Sequence, residues 1–200
     1  MKHPVLLLKF PIIILLCTIA LAIFISGCRK DYVPKPKSYF RIDFPDKQYV
    51  PYHAVGCNYS FEVPVYARVV PYTGVMAEPC WVNIEFPGYK GIVHITYKKL
   101  NNNLNEYVED IRTLAYKHII KADDIIEKPF YFPERDVNGI IYDIRGNTAS
   151  SLSFFVTDST KNFLSGALYF NVIPNKDSLA PVIHFFSADI DHLIRTLNWN

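Results

Sequence analysis

The first 28 residues determine how much of this chain folds and in which compartment it does so. Two lysines precede an uncharged apolar run from residue 10 to about residue 24. That run suits the apolar region of a signal peptide and is marginal for a membrane-spanning helix, which needs about 20 residues. It ends in Ile25-Ser26-Gly27-Cys28, a pattern typical of a bacterial lipobox. We therefore predict a lipoprotein signal peptide over residues 1–27 and lipidation of Cys28.

Removal of the signal peptide would leave 173 of the 200 residues, a length that suits one domain with a sizeable core. It would also remove two of the 21 basic residues and no acidic ones, leaving 19 of each sign and a net charge of zero. A neutral domain has no basic excess to hold nucleic acid, so we expect no nucleic-acid partner. The alternative interpretation of the N-terminus is an uncleaved transmembrane anchor. Both interpretations place the domain on the non-cytoplasmic side of a membrane.

A tether follows the predicted lipidation site. Residues 28–45 begin with basic residues and two prolines, which favour an extended, polyproline-like backbone. Acyl chains on Cys28 would hold this tether stably in a membrane. From Tyr39 and Phe40 onward the tether turns aromatic, and we expect that part to pack on the domain or to be covered by a partner. Residues 46–200 are predicted to form a single globular domain.

Two cysteines remain for the folded domain. Cys17 belongs to the signal peptide and Cys28 is the predicted lipid site, which leaves Cys57 and Cys80 as an even pair in an oxidising compartment. We predict a disulfide between them, worth about 3 kcal/mol in the chain-entropy model. A catalytic or metal-binding thiol is the alternative, but it would need an activating histidine beside it, and the sequence shows none.

Short strands dominate the predicted domain. Runs of β-branched and aromatic residues, several of them alternating with polar residues, are bounded by turn residues. The predicted strands cover residues 59–63, 81–86, 91–98, 130–132, 139–144, 151–157, 163–172 and 182–186. The second and third of these form a hairpin, because only a short loop separates them. The regular spacing of the later runs predicts an antiparallel meander of three or four strands.

Two segments change to the helical period. Apolar residues recur at helical spacing over residues 104–121, where Asn103 and Glu106 form an N-terminal cap, and again over about 188–197, where Ser187 is the cap. The order of strands, helix, strands and helix predicts an α+β fold, with a largely antiparallel sheet covered by one or two helices. An α/β/α sandwich of the kind seen in photosystem-II PsbP-like domains has a similar element order.

Polar residues cluster at one predicted hairpin turn, residues 146–151. The simplest interpretation of this run is a turn between two apolar strands. As a catalytic site it would supply Ser150 or Ser151 as the nucleophile of a periplasmic hydrolase, with Asp143 or Asp158 as the acid–base group. No G-x-S-x-G elbow accompanies these serines. A small-ligand site in the region between the two carboxylates is a further alternative.

The sequence predicts a binding protein without catalytic residues, metal or cofactor. Its histidines have no metal-ligand spacing, and it carries no P-loop or glycine-rich dinucleotide motif. Its 14 Tyr and 14 Phe exceed what one core must bury, which favours an exposed aromatic patch of the kind found at protein interfaces. The candidate partner contacts are Tyr39, Phe40, Asn147, Ser150 and Ser151.

Several runs of the chain resemble the gliding-motility lipoprotein family GldD of Bacteroidota. The runs are YVPKPK at 32–37, YFRID at 39–43, CWVNI at 80–84, LAYKH at 114–118, KAD at 121–123, GNTASS at 146–151, TDST at 157–160 and FLSGALYF at 163–170. They span nearly all of the chain after Cys28, in order. The combination is specific, although each short run alone is weak.

The resemblance implies a process and a compartment. It implies a role in surface gliding and in the assembly or stability of the type IX secretion and motility apparatus, with other envelope proteins of that apparatus as partners. It brings no catalytic residues. Surface-exported lipoproteins of these bacteria tend to carry an acidic run after the lipidated cysteine, whereas this chain has Arg29-Lys30-Asp31. We therefore expect a lipid-anchored, periplasm-facing domain.

Overall fold

A computed structural model describes residues 41–200 of the chain. The predicted signal peptide, Cys28, Tyr39 and Phe40 lie outside the described residues. These form ten strands, two α-helices and two single-turn 3-10 helices, Pro87–Tyr89 and Pro133–Arg135. The strands are β1 (Tyr49–His53), β2 (Tyr59–Pro64), β3 (Arg68–Pro71), β4 (Val82–Phe86), β5 (Gly91–Lys99), β6 (Ala122–Phe132), β7 (Val137–Gly146), β8 (Ser150–Thr157), β9 (Asn162–Phe170) and β10 (Asn198–Trp199); the helices are α1 (Leu104–Tyr116) and α2 (Lys176–Thr196).

The strands form two antiparallel sheets. The larger has seven strands in the order β3-β4-β5-β9-β8-β7-β6, and the smaller has three in the order β1-β2-β10. β4 and β5 form the predicted hairpin. β6 to β9 pair each with the next along the chain, so the predicted meander is also confirmed.

Each face of the seven-stranded sheet is covered differently. The main core lies on one face, where Ile95 and Leu168 of the sheet pack with Phe61 of β2 and with Phe186 and Ile190 of α2. A second, smaller cluster lies on the other face under α1, whose one fully buried residue is Ala115. An antiparallel sheet with a helix on each face confirms the predicted α+β fold.

Helix α2 is longer than the sequence predicts and includes the strand predicted at 182–186, which is wrong. Its buried positions follow one helical stripe without a break and are Val182, Phe186, Asp189, Ile190, Leu193 and Ile194. The β-branched and aromatic composition of the segment, together with Pro181, hides this period. Ser187, the predicted cap, lies within the helix and donates to Ile183 O at 2.8 Å. The actual cap is Asn175, which accepts from Ser178 N at 3.1 Å.

Two other boundaries differ from the prediction by five and eight residues. α1 ends at Tyr116 rather than at residue 121, and Asn103 makes no capping hydrogen bond from its side chain. β6 begins at Ala122 rather than at residue 130. The short strands β1, β3 and β10 were not predicted. Prolines and charged residues interrupt the apolar pattern in β1, β3 and β6. These segments are therefore strands because they pair with a neighbouring strand, and not because of their own sequence pattern.

Candidate functional site

The aromatic end of the tether packs on the domain. The Phe44 ring stacks on Phe185 of α2, with ring centroids 4.3 Å apart, and on Tyr89, with centroids 5.7 Å apart. Tyr89 also donates its hydroxyl proton to Asp43 O at 3.0 Å. We call Phe44, Tyr89 and Phe185 the aromatic clasp. The clasp fixes the place at which the tether joins the domain.

A buried carboxylate secures the chain just after the clasp. Asp189 of α2 is 3% exposed and accepts hydrogen bonds from Lys47 at 2.6 Å, Tyr49 at 2.9 Å and Tyr66 at 2.7 Å. Burial, followed by the bond to this carboxylate, raises the pKa of both tyrosine hydroxyls well above the ordinary value. The tyrosines therefore stay protonated as donors, and Asp189 acts as a structural acceptor with all its partners in place.

The disulfide lies at the other end of the described domain. Cys57 and Cys80 are bonded, with Cα atoms 5.6 Å apart, and they join the loop between β1 and β2 to the loop before β4. Apolar side chains at the tips of these two loops, Val55, Val75 and Met76, are almost wholly exposed. We call these five residues the disulfide end. The disulfide holds together the two loops that carry these exposed apolar side chains.

Strand β5 gives the distance between the two ends. Tyr89 of the clasp precedes its first residue, Gly91. Cys57 and Cys80 border the same groove as Lys99, its last residue. Nine residues of antiparallel strand span about 30 Å. The disulfide end is therefore about 30 Å from the point at which the tether joins the domain.

The predicted hairpin residues are mostly turned inward. Asn147 is exposed, and its side-chain oxygen accepts from Lys176 N at 2.8 Å, which ties the hairpin turn to the start of α2. Ser150 and Ser151 are 1% and 5% exposed, and Ser150 donates to Leu152 O at 3.2 Å. A partner protein could not reach either serine without rearrangement of the hairpin.

The two candidate carboxylates are not brought together. Asp143 of β7 pairs with Leu152 near the start of β8, whereas Asp158 follows the end of β8. Six residues of strand separate them by about 20 Å. Asp143 lies 2.8 Å from Lys128. Burial alone would raise the pKa of Asp158, but hydrogen bonds from the backbone of its own turn outweigh burial and lower it. Both carboxylates have structural partners.

A cavity of about 250 Å³ lies between α1 and the seven-stranded sheet. The strand registers show why it exists. His94 of β5 pairs with Ala167 of β9, which pairs with Ser153 of β8. The small side chains of Ala167 and Ser153 fill little of the space between the sheet and α1. We call this space the sheet-face cavity.

Burial sets the protonation of two histidines in the cavity wall. His94 and His118 both line the cavity, and desolvation lowers the pKa of each imidazole below its ordinary value. The small-ligand site that the sequence offered between Asp143 and Asp158 includes Ser150 and Ser153 of this wall. Sequence reasoning missed the cavity itself, because its wall is assembled from three strands and a helix. The one local signal was the serine- and glycine-rich composition of β8 and β9.

Two further properties of the described part of the chain are whether its helices could span a membrane and whether its side chains could hold a metal ion. Neither α1 nor α2 is both long and apolar enough to span a membrane. Over residues 41–200, His, Cys, Asp and Glu form no group of three or more that could hold a metal ion.

Comparisons with known proteins give a family and solved structures with a similar fold. The model of the family described as "Gliding motility lipoprotein GldD" matches residues 29–199. No curated protein matches the chain. The solution structure of cyanobacterial PsbP (CyanoP) from Synechocystis sp. PCC 6803 is similar with a TM-score of 0.48 and 12% sequence identity, over 78% of this chain and 95% of that one.

Proposed function

Because this chain belongs to the GldD family of gliding motility lipoproteins, we propose that it is a non-enzymatic protein-binding module of the cell envelope. Its lipid anchor at Cys28 holds the domain at a membrane, facing the periplasm. The domain binds and stabilises other proteins of the type IX secretion and motility apparatus. Confinement to a membrane surface raises its effective concentration for membrane-bound partners.

The observation that carries this proposal is the separation of the clasp from the disulfide end. The tether joins the domain at Phe44, and the exposed side chains of Val75 and Met76 lie at the opposite end of β5. A domain anchored at one end presents its other end to proteins beyond the membrane. The disulfide supports a location in an oxidising compartment, as expected for the periplasm.

Two further proposals concern residues from the sequence prediction. Tyr39 and Phe40 immediately precede the described domain, and we retain them as contacts for a partner close to the membrane. Asn147 is exposed at the hairpin turn and is retained as a third contact. The buried Ser150 and Ser151 support this turn from within.

A matched pair of substitutions tests the proposal. Val75→Asp places a charge at the disulfide end, and Val65→Asp places the same charge on an exposed valine just after β2, at the end of that strand far from the disulfide. We expect Val75→Asp to impair gliding and to lower the abundance of other apparatus proteins, while Val65→Asp leaves both near the wild-type level. Colony spreading and immunoblots of the cells measure the two effects.

A photo-crosslinking residue at each of these two positions provides the direct test. We expect a crosslinked partner from position 75 and none from position 65. Normal gliding of the Val75→Asp variant, with no crosslink from position 75, would overturn the assignment of this surface.

The hydrolase alternative has its own test. Ser150→Ala combined with Ser151→Ala removes both candidate nucleophiles and should leave gliding intact. Loss of gliding with normal folding and abundance would instead support an enzyme.

A further inference from the structure

The sheet-face cavity contains a polar atom that the protein leaves unpaired. Ser153 is 8% exposed, and among residues 41–200 its Oγ is the only buried side-chain oxygen or nitrogen without a hydrogen-bond partner in the protein. Burial of an unpaired hydroxyl is unfavourable, because the group loses its hydrogen bonds to water and gains none from the protein. Since Ser153 lines the cavity, a molecule inside it could supply the missing partner.

Neighbouring groups add both hydrogen-bond acceptors and donors to the wall. Asn83 Oδ1 lies 2.7 Å from His94 Nδ1. An amide oxygen can only accept, so Nδ1 carries the proton of the neutral ring and Nε2 remains an acceptor. The hydroxyls of Thr96 and Ser165 lie 2.6 Å apart, and the one that accepts keeps its own proton to donate.

The charge of the wall restricts what can bind. The cavity lining includes no Lys, Arg, Asp or Glu. Burial lowers the pKa of its two histidines, which favours their neutral forms. An ionised ligand would lose its hydration without gaining a counter-charge. The remaining wall is apolar and includes Ile111 and Ala115 of α1. The cavity reaches solvent beside Leu114 and Tyr169, which are 51% and 36% exposed.

We propose that the sheet-face cavity binds a small uncharged molecule with an apolar body and one hydroxyl, carbonyl or amide group. The polar group pairs with Ser153 Oγ, and the apolar body lies between Ala167 and the α1 side chains. The volume of about 250 Å³ accommodates a molecule the size of a substituted benzene ring. This site is independent of the protein-binding surface at the disulfide end.

Three probes of similar size test the proposal: benzyl alcohol, toluene and benzoate. They are titrated into the full lipidated protein in detergent, and the NMR signals of the Ala and Ile methyl groups are followed. We expect benzyl alcohol to shift the signals of Ile111, Ala115 and Ala167 in a saturable manner. Toluene should bind more weakly, and benzoate should bind at least about tenfold more weakly because its charge has no partner.

Variants assign the binding to this cavity. Ser153→Ala should weaken benzyl alcohol about fivefold to tenfold, the loss of one net hydrogen bond, and should leave toluene unchanged. Ala167→Leu should fill the cavity and abolish binding of all three probes, while Ser151→Ala, a buried serine outside the cavity wall, should change nothing. The dispersion of the methyl spectrum reports whether each variant is folded.

Three results would overturn the proposal. The first is the absence of a saturable shift with benzyl alcohol, which would mean that the cavity holds water only. The second is equal binding of benzyl alcohol and benzoate, and the third is binding that survives Ala167→Leu; either would place the probes in the detergent or elsewhere on the protein. None of these results depends on whether Val75 contacts a partner.

Discussion

At the scale of single residues, Asp189 illustrates how distant parts of the chain meet at one group. Its three donors, Lys47, Tyr49 and Tyr66, lie between 123 and 142 residues away in the sequence. No local pattern could identify them, because a lone aspartate on a helix usually faces water. What the sequence does indicate is the helical stripe that turns position 189 toward the core.

Asp189→Ala should destabilise the domain by about 3 kcal/mol, because it leaves two tyrosine hydroxyls and Lys47 without their acceptor. Chemical denaturation followed by circular dichroism measures the change. Asp191→Ala on the same helix is the control, since its exposed pair with Arg195 is worth less than about 1 kcal/mol. Equal effects of the two substitutions would contradict a structural role for Asp189.

The histidines of the sheet-face cavity make stability depend on pH. Burial lowers the pKa of His94 and His118 below the ordinary value of 6.5, so the unfolded chain binds more protons than the folded one between the lowered pKa and 6.5. The free energy of unfolding should therefore fall as the pH drops below about 6.5 and should not change on this account above it. His94→Asn should flatten the profile in a pH series of denaturation curves. An unchanged slope would contradict the assignment.

At the scale of elements, the sequence predicts the strands in which apolar and polar residues alternate. It misses the strands that form only because a neighbouring strand pairs with them. β5 alternates cleanly and was predicted almost to its ends, whereas β6, with Pro129 and several charges, is a strand because β7 pairs along its whole length. For α2, the sequence predicted a strand over residues 182–186 and a helix only from about residue 188, although the buried stripe of the helix is continuous. The sheet-face cavity could not be predicted, because it depends on the register that places Ala167 beside Ser153.

The disulfide joins two loops, and its removal tests how much it stabilises them. Cys57→Ala combined with Cys80→Ala should lower the free energy of unfolding by about 3 kcal/mol, since the bond closes a segment of 23 residues. Thermal unfolding with and without reductant measures the loss. Reductant should bring the wild-type protein to the stability of the variant and should leave the variant unchanged. A variant as stable as the oxidised wild type would show that the surrounding packing alone holds the loops.

At the scale of the whole domain, the important property is that the aromatic clasp and the disulfide lie at opposite ends of β5. The sequence predicted that the aromatic segment before residue 46 would pack on the domain or be covered by a partner, and Phe44 packs on the domain. It could not predict where on the domain, because Tyr89 and Phe185 come from distant segments. To predict that the clasp and the disulfide end lie far apart, one would have to know the order of the strands in the sheet.

Phe44→Ala should open the aromatic clasp and expose the chain around Lys47 to trypsin. The half-buried ring contributes about 2 kcal/mol by packing, and its loss should weaken the contacts of the tether without unfolding the sheet. Limited proteolysis with mass spectrometry measures the new cut. Tyr131→Ala, which removes an exposed ring from β6, is the control and should digest like the wild-type protein. Identical digestion patterns for both variants would show that the clasp does not hold the tether.

The position of the clasp also determines how the domain would carry a mechanical load. A force between the lipid anchor and a protein bound at the disulfide end would act on the domain at two points, one beside the first residue of β5 and one near its last. Such a force runs along the strands, and the hydrogen bonds between antiparallel strands lie across it. The bonds along β5 would therefore be sheared together and not opened one after another. Under such a load, the domain would resist stretching most strongly along the direction of β5.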